Sequence, residues 1–277
     1  MKMYKDYHLH TEFSDDSIYP MEEVVKDAIA LGIDELCFTD HVDYGVHPDY
    51  NDASAKVVNG KKIANVDYPT YFNRIDELSK KYKEKIILKK GLEFGIQTHT
   101  IKDYQKLTQN YDLDFVILSI HQVNDEEFWT FDYQDKRTQD EYHLGYYQEL
   151  LDVITVFKEY SVLGHMDLMR RYDKLGHYPF EKTKEIVTQI LKQVILDGKG
   201  IEINTSSFRY GLDDLMPSTD LLKLYKELGG KIITIGSDSH RKEHLGAYIQ
   251  DVKETLRGLG YTEYCSFEKM KPIFHPL

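Results

Sequence analysis

Long apolar runs are missing from this 277-residue chain: no stretch approaches the roughly 18 residues that cross a bilayer as a helix. No membrane partner is therefore expected. Cysteine is scarce, with only Cys37 and Cys265, too few for a disulfide framework. Cys37 lies inside the apolar run Leu36-Cys37-Phe38, where a buried, reduced thiol is expected. Basic stripes are also missing. The formal charge is −12, and the densest basic runs, Lys80-Lys81-Tyr82-Lys83 and Lys89-Lys90, are short. Nucleic-acid backbones are gripped by extended positive surfaces, so no nucleic-acid partner is expected. The opening Met1-Lys2-Met3-Tyr4-Lys5-Asp6 has no apolar segment after its charges, and a cytoplasmic location is the expectation. Internal repeats, low-complexity segments and Pro/Gly/Ser-rich linkers do not occur.

What the chain does have is material for a sizeable core, 41% apolar and 13% aromatic residues, which argues against disorder. Short apolar runs alternate with helical patterns. Strands are expected over 4–9, 35–39, 85–93, 114–120, 161–164, 200–204 and 231–236, and helices over 20–31, 69–83, 138–160, 179–197, 217–228 and 240–258. Ser17 is a possible cap for the first helix, Pro20 suits its first turn and Gly32 its end. Such alternation predicts parallel βαβ units in one domain spanning 1–277, as a doubly wound sheet or a barrel. The longest irregular stretch, 42–67, is expected to form a lid or substrate-binding excursion, because a loop of that length is uncommon without a function.

Chemistry gathers at the strand ends. His8 and His10 close the first predicted strand, Asp40 and His41 the second, Glu93 the third and His121 the fourth. His165 and Asp167 close the fifth, Asn204 the sixth, and Asp238 and His240 the seventh. In a barrel all these ends share one mouth. Residues i and i+2 on a strand face the same way, so His8 with His10, and Asp238 with His240, each present two side chains to one cavity. That convergence favours the barrel over the open sheet. Gathering so many ionisable groups without a metal costs several kcal/mol per unpaired ion, which a metal cluster removes. Imidazole with carboxylate and no thiolate suits Zn, Mn, Fe or Co better than Ca or Mg alone. The remaining histidines (His47, His99, His143, His177, His244 and His275) lack this placement, and only His47, in the long loop, is a candidate to touch substrate. Tyr142, Tyr146 and Tyr147 lie at helical spacing and read as packing residues.

The order H-x-H, S-x-D, T-D-H, G-x-E, S-x-H, G-H-x-D, E-x-N and S-D-x-H, running from His8 to His240, resembles the PHP (polymerase and histidinol phosphatase) superfamily. Within it, His10-Thr11-Glu12-Phe13-Ser14, Gly91-Leu92-Glu93-Phe94-Gly95, Ser119-Ile120-His121 and Glu202-Ile203-Asn204-Thr205, with Arg209 following, are similar to the monofunctional histidinol-phosphate phosphatases. The resemblance implies a distorted (β/α)7 TIM-like barrel holding two to three divalent ions (Zn, Mn or Fe). It implies His8, His10, Glu93 and Asp238 at the first ion, and Glu93 bridging to a second with His121 and His165. Asp16, His41 and His240 would hold the third, Asp16 being preferred to the adjacent Asp15. Asp40 and Asp167 are expected to orient ligand imidazoles. The implied reaction is metal-dependent hydrolysis of a small phosphate monoester, L-histidinol phosphate. Arg209, and next Arg170, are expected to bind phosphoryl oxygens, and Asp238 or His240 to serve the leaving alkoxide. Alternatives are a nucleotide phosphatase or nuclease of the same superfamily, and a metal-binding protein without catalysis. The oligomeric state is not legible.

Overall fold

The computed structural model describes residues 4–277. Seven strands form one parallel sheet in chain order: β1 (Lys5–Asp6), β2 (Glu35–Phe38), β3 (Ile87–Gly95), β4 (Phe115–Ser119), β5 (Val162–Leu163), β6 (Gly200–Asn204) and β7 (Ile233–Gly236). The two-residue strand His41–Val42 continues the line of β2 and pairs with β3 in the register His41 to Glu93. The last strand returns to the first. Tyr7 N donates to Ile235 O at 3.1 Å, Asp238 N to His8 O at 2.7 Å and His10 N to Ser239 O at 2.7 Å. This seam completes a distorted (β/α)7 barrel, the architecture that the strand-end residues favoured over an open sheet and that the resemblance implied.

Seven helices, α1 (Met21–Leu31), α2 (Tyr68–Tyr82), α3 (Ile101–Asn110), α4 (Gln139–Val156), α5 (Lys184–Leu196), α6 (Thr219–Glu227) and α7 (Ile249–Gly258), supply the crossovers and outer layer. Each turns an apolar stripe inward; in α1 it is Met21, Val24, Val25 and Ala28. Gly32 ends α1 at φ 75, its N–H returning to Ala28 O and Ile29 O. Ser17 does not cap that helix. Its hydroxyl donates to His240 O at 3.0 Å, and the Glu12 carboxylate takes the Met21 N–H instead, a negative group at the positive helix end.

The helix expected over 240–258 is shorter than that. Gly246 at φ 66 and Tyr248 at φ 60 break it, leaving a 3-10 turn at Lys242–His244 before α7. Several elements escape the sequence reading, two of them large. Helix α3 is mostly polar and buries only Ile101, Tyr104 and Leu107. A C-terminal hairpin, β8 (Glu263–Glu268) and β9 (Lys271–Pro276), turns through Lys269 and Met270, both at positive φ, without the Asn-Gly or Asp-Gly that marks such turns.

The hairpin places the functional layer by filling the space beneath it. Cys265 and Phe267 of β8 pack with Tyr7, Cys37, Phe115, Ile117 and Val162, a cluster separate from the main core. Phe267 N donates to Tyr7 Oη at 2.9 Å. Both cysteines are buried free thiols. The segment 42–67 carries a small hairpin, Lys56–Val58 against Lys61–Ile63, and Asn65 pins its base by accepting from Asp43 N and donating to His47 O.

Candidate active site

Above the apolar plug the interior becomes ionic. His8 Nε2 lies 3.1 Å from His10 Nε2, 3.0 Å from Glu93 Oε2 and 3.8 Å from Asp238 Oδ1. His10 Nε2 lies 3.4 Å from Glu93 Oε2 and 3.5 Å from Asp238 Oδ1. Donors held at about 2.0 to 2.2 Å around a tetrahedral ion stand roughly 3.3 Å apart, and His8 and His10 stand near that distance from each other and from both carboxylates. The other oxygen of Glu93 faces His121 Nε2 at 3.2 Å and His165 Nε2 at 2.8 Å. Asp16 Oδ2 sits 2.9 Å from His240 Nε2 and 3.7 Å from His41 Nε2. His10 joins this group too, with its ring stacked on those of His41 and His240. Asp15 turns away to His47, at 3.2 Å.

Electrostatics points the same way. Burial pushes the Glu93 carboxyl up, but His8, His121 and His41 outweigh it and hold it well below the usual carboxylate range. Burial likewise raises Asp238, and His8, His10 and His240 more than reverse the effect. The His10 imidazole is driven well below its ordinary value by burial, with His240 and His41 adding to the effect. It is therefore neutral and offers a lone pair, the form a metal ligand requires. At His8, His41, His121 and His240 burial lowers the imidazole but the facing carboxylates outweigh it and raise it, so positive charge gathers where the ionised carboxylates converge, a place that suits divalent cations.

Three of the imidazoles, His8, His10 and His121, are aimed from behind. His8 Nδ1 meets Glu202 Oε1 at 2.5 Å, and His121 Nδ1 meets Asp43 Oδ1 at 2.8 Å. His10 Nδ1 meets Ser14 Oγ at 3.0 Å, and that hydroxyl donates to Asp40 Oδ1 at 2.9 Å. Carboxylates bonded to the remote ring nitrogen fix tautomer and tilt. The expectation for Asp40 is corrected: it reaches no imidazole directly and instead gathers the loop through Thr11 and Ser14. Asp167 is corrected as well. It pairs with Arg170 at 3.1 Å and accepts from Ser218 N at 2.8 Å. Glu202 and Asp43 escape the sequence reading, although Asp43 is two residues from His41 and thus on its face of the chain. Glycines make room for both pairs. A Cβ on Gly95 would lie 1.7 Å from Asp43 Oδ1, and one on Gly236 would lie 2.2 Å from His8 Cβ.

These groups floor a cavity of about 460 Å³. Arg171, Arg209 and Tyr210 line it, as do Asp15, His47, Glu127 and Trp129. Arg209 Nη1 donates to Ser237 O at 2.7 Å, and its Nη2 lies 3.6 Å from Asp238 Oδ2. Arg170 does not line the cavity. Its guanidinium is spent on Asp167, Leu215 O and Asp213, and its neighbour Arg171 faces inward instead. Arg171 Nη2 lies 3.4 Å from Asp238 Oδ2, its guanidinium stacks on Tyr210, and its buried Nε has no partner. A 3-10 turn gave no period by which the sequence separates one arginine from the next. Of the six unassigned histidines, His47 and His244 line the cavity, while His143 and His275 are buried away from it. Tyr142, Tyr146 and Tyr147 are buried in the core. Among the described residues no helix is long and apolar enough to cross a membrane.

Comparison with known proteins agrees with this geometry. The model of the PHP domain matches residues 6–206. A histidinol-phosphatase of Lactococcus lactis is 33% identical, the alignment covering 96% of this chain and 95% of that protein. A probable histidinol-phosphatase of Thermotoga maritima is 27% identical over 97% of each. In structure, the chain superposes on a histidinol phosphate phosphatase from Lactococcus lactis, solved with zinc, L-histidinol and phosphate. The TM-score is 0.83, with 32% identity and 98% of both chains covered.

Proposed function

The chain belongs to the PHP domain family, and from that premise we propose that it is a phosphomonoesterase hydrolysing L-histidinol phosphate to L-histidinol and phosphate. The observation that carries the reading is one juxtaposition: a cage of imidazole and carboxylate donors beside Arg171, whose buried Nε lacks a partner. An unpaired buried donor is costly, and a phosphoryl oxygen satisfies it. We assign His8, His10, Glu93 and Asp238 to one divalent ion, Glu93, His121 and His165 to a second, and Asp16, His41 and His240 to a third. Zn, Mn or Fe suits these donors. Bound there, the ions supply Lewis acidity toward phosphoryl oxygens and lower the pKa of water.

The chain's own groups do the rest. Arg171 and Arg209 clamp the phosphoryl group where charge develops. Asp238 and His240 are the groups in reach of the reacting oxygens, and between them they take up the proton of the attacking water and give one to the leaving alkoxide. His240 lies 3.5 Å from Asp238 Oδ1. Asp15 and Glu127, with the indole of Trp129, suit a cationic amino-imidazole alcohol and repel a second phosphate. Segment 42–67 contributes Asp43 and His47 to the lining. With Zn or Mn, phosphate release from L-histidinol phosphate is expected to exceed that from nucleotides and simple phosphomonoesters by at least about a hundredfold in kcat/KM, the range set by lost polar contacts. Equal rates on all substrates would remove the substrate assignment, and no release from any would remove the enzyme.

A further inference from the structure

Arg171 has an unusual suspension. The connection 164–183 between β5 and α5 contains only two 3-10 turns, Leu168–Tyr172 and Phe180–Lys182, so regular structure does not fix where this arginine stands. Side chains on either side do. Before it, Arg170 reaches outward to Asp167, Leu215 O and Asp213. After it, the buried Asp173 carboxylate accepts four hydrogen bonds. Tyr142 Oη donates to Oδ1 at 2.6 Å and Leu175 N at 2.9 Å, while His143 Nε2 donates to Oδ2 at 2.7 Å and Gln139 Nε2 at 2.9 Å. Three of these donors come from the first turns of α4, whose end is fixed by a Thr138–Glu141 capping box. Tyr178 closes the loop by stacking flat on His143, at 4.1 Å and 4°. No part of this network touches the cavity, and the assigned chemistry leaves it without a role.

We infer that Asp173 is a positioning residue for Arg171: it straps the β5–α5 connection to α4 so that the guanidinium projects into the cavity beside Asp238. The inference rests on the reading of Arg171 as a phosphate ligand. A buried carboxylate with every lone pair used is a rigid anchor, and an arginine two residues away inherits that rigidity, where a displacement of about 1 Å is worth up to about a hundredfold in rate.

A double-mutant cycle tests it. Inorganic phosphate is titrated by calorimetry into metal-loaded wild-type protein, D173A, R171A and the double variant, with kcat/KM for phosphate release measured alongside. D173A and R171A are each expected to weaken phosphate binding and lower kcat/KM by about 10- to 100-fold. The double variant should fall no more than about twofold below R171A, with metal content unchanged throughout. Tyr142→Phe, which removes one of the four hydrogen bonds, should give a smaller loss that also disappears in the R171A background; it decides the matter if D173A does not fold. The inference is overturned if these losses persist undiminished when Arg171 is absent, or if both variants bind phosphate as the wild type does. Tight phosphate binding without substrate selectivity would touch only the assignment of histidinol phosphate. A wild-type protein that binds no phosphate would remove both.

Discussion

Glu93→Gln is expected to lower turnover about a thousandfold and to reduce bound metal while the barrel stays folded. Both oxygens of Glu93 are engaged, Oε2 toward His8, His10 and His41, Oε1 toward His121, His165 and the Ser119 hydroxyl. It is the carboxylate that faces both the first and the second of the proposed ion positions. The substitution keeps shape and removes one charge. At about 4 Å and an effective dielectric constant of about 20, a unit charge pair is worth about 4 kcal/mol, which is about three decades of rate. Metal analysis, steady-state kinetics and circular dichroism on the same preparation check this. Wild-type metal content with a near-normal rate would show that the ligand set is wrong.

Gly236→Ala should do comparable damage by a steric route. The added methyl would lie 2.2 Å from His8 Cβ, 2.7 Å from Glu202 Oε1 and 2.9 Å from His8 N. Two of those atoms belong to or hang directly from the backbone of the neighbouring strand, so no side-chain rotation relieves the contact. Strand β7 and the chain at His8 must separate, disturbing the Asp238 N to His8 O hydrogen bond at 2.7 Å. Overpacking of this kind costs about 3 kcal/mol or more, a fall in melting temperature of about 6 °C or more for a chain of this size, and it tilts His8 off Glu202. Gly258→Ala is the control. Nothing lies within 4 Å of that added carbon, and it ends α7 with an ordinary backbone, so stability should hold or rise slightly. Equal melting temperatures for Gly236→Ala and wild type, at equal metal affinity, would refute the steric account.

Much of the barrel is legible in the chain because its strands are short apolar runs buried on both faces, set between amphipathic helices. All seven strands lie within their expected neighbourhoods, and β6 matches residue for residue at Gly200–Asn204. The strand-end residues are legible for a related reason: a polar group that interrupts an apolar run at its C-terminal end in a barrel faces the mouth. What escapes depends on three-dimensional neighbours. Glu202 sits inside a strand and looks like a solvent-facing alternate residue until His8, 194 positions away, closes on it. Arg170 and Arg171 are adjacent and chemically equivalent, and only Asp167 and Leu215 O decide which of them turns outward. Ser17 has a capping residue's composition but is drawn off by His240 O. The C-terminal hairpin is hidden because its turn forces Lys269 and Met270 into left-handed backbone that their types do not advertise.

The seam between the first and last strands has a consequence for the order of events in a cell. His8 and His10 follow the first strand and Asp238 and His240 the seventh, so the proposed ion cage is a buckle fastened only once the seventh strand has been made. A nascent chain holding the first six strands has all three ligands of the second proposed ion but lacks Asp238 for the first and His240 for the third. Binding of the first and third proposed ions is then coupled to ring closure, so that metal would add to the stability of a ring that the backbone seam already closes.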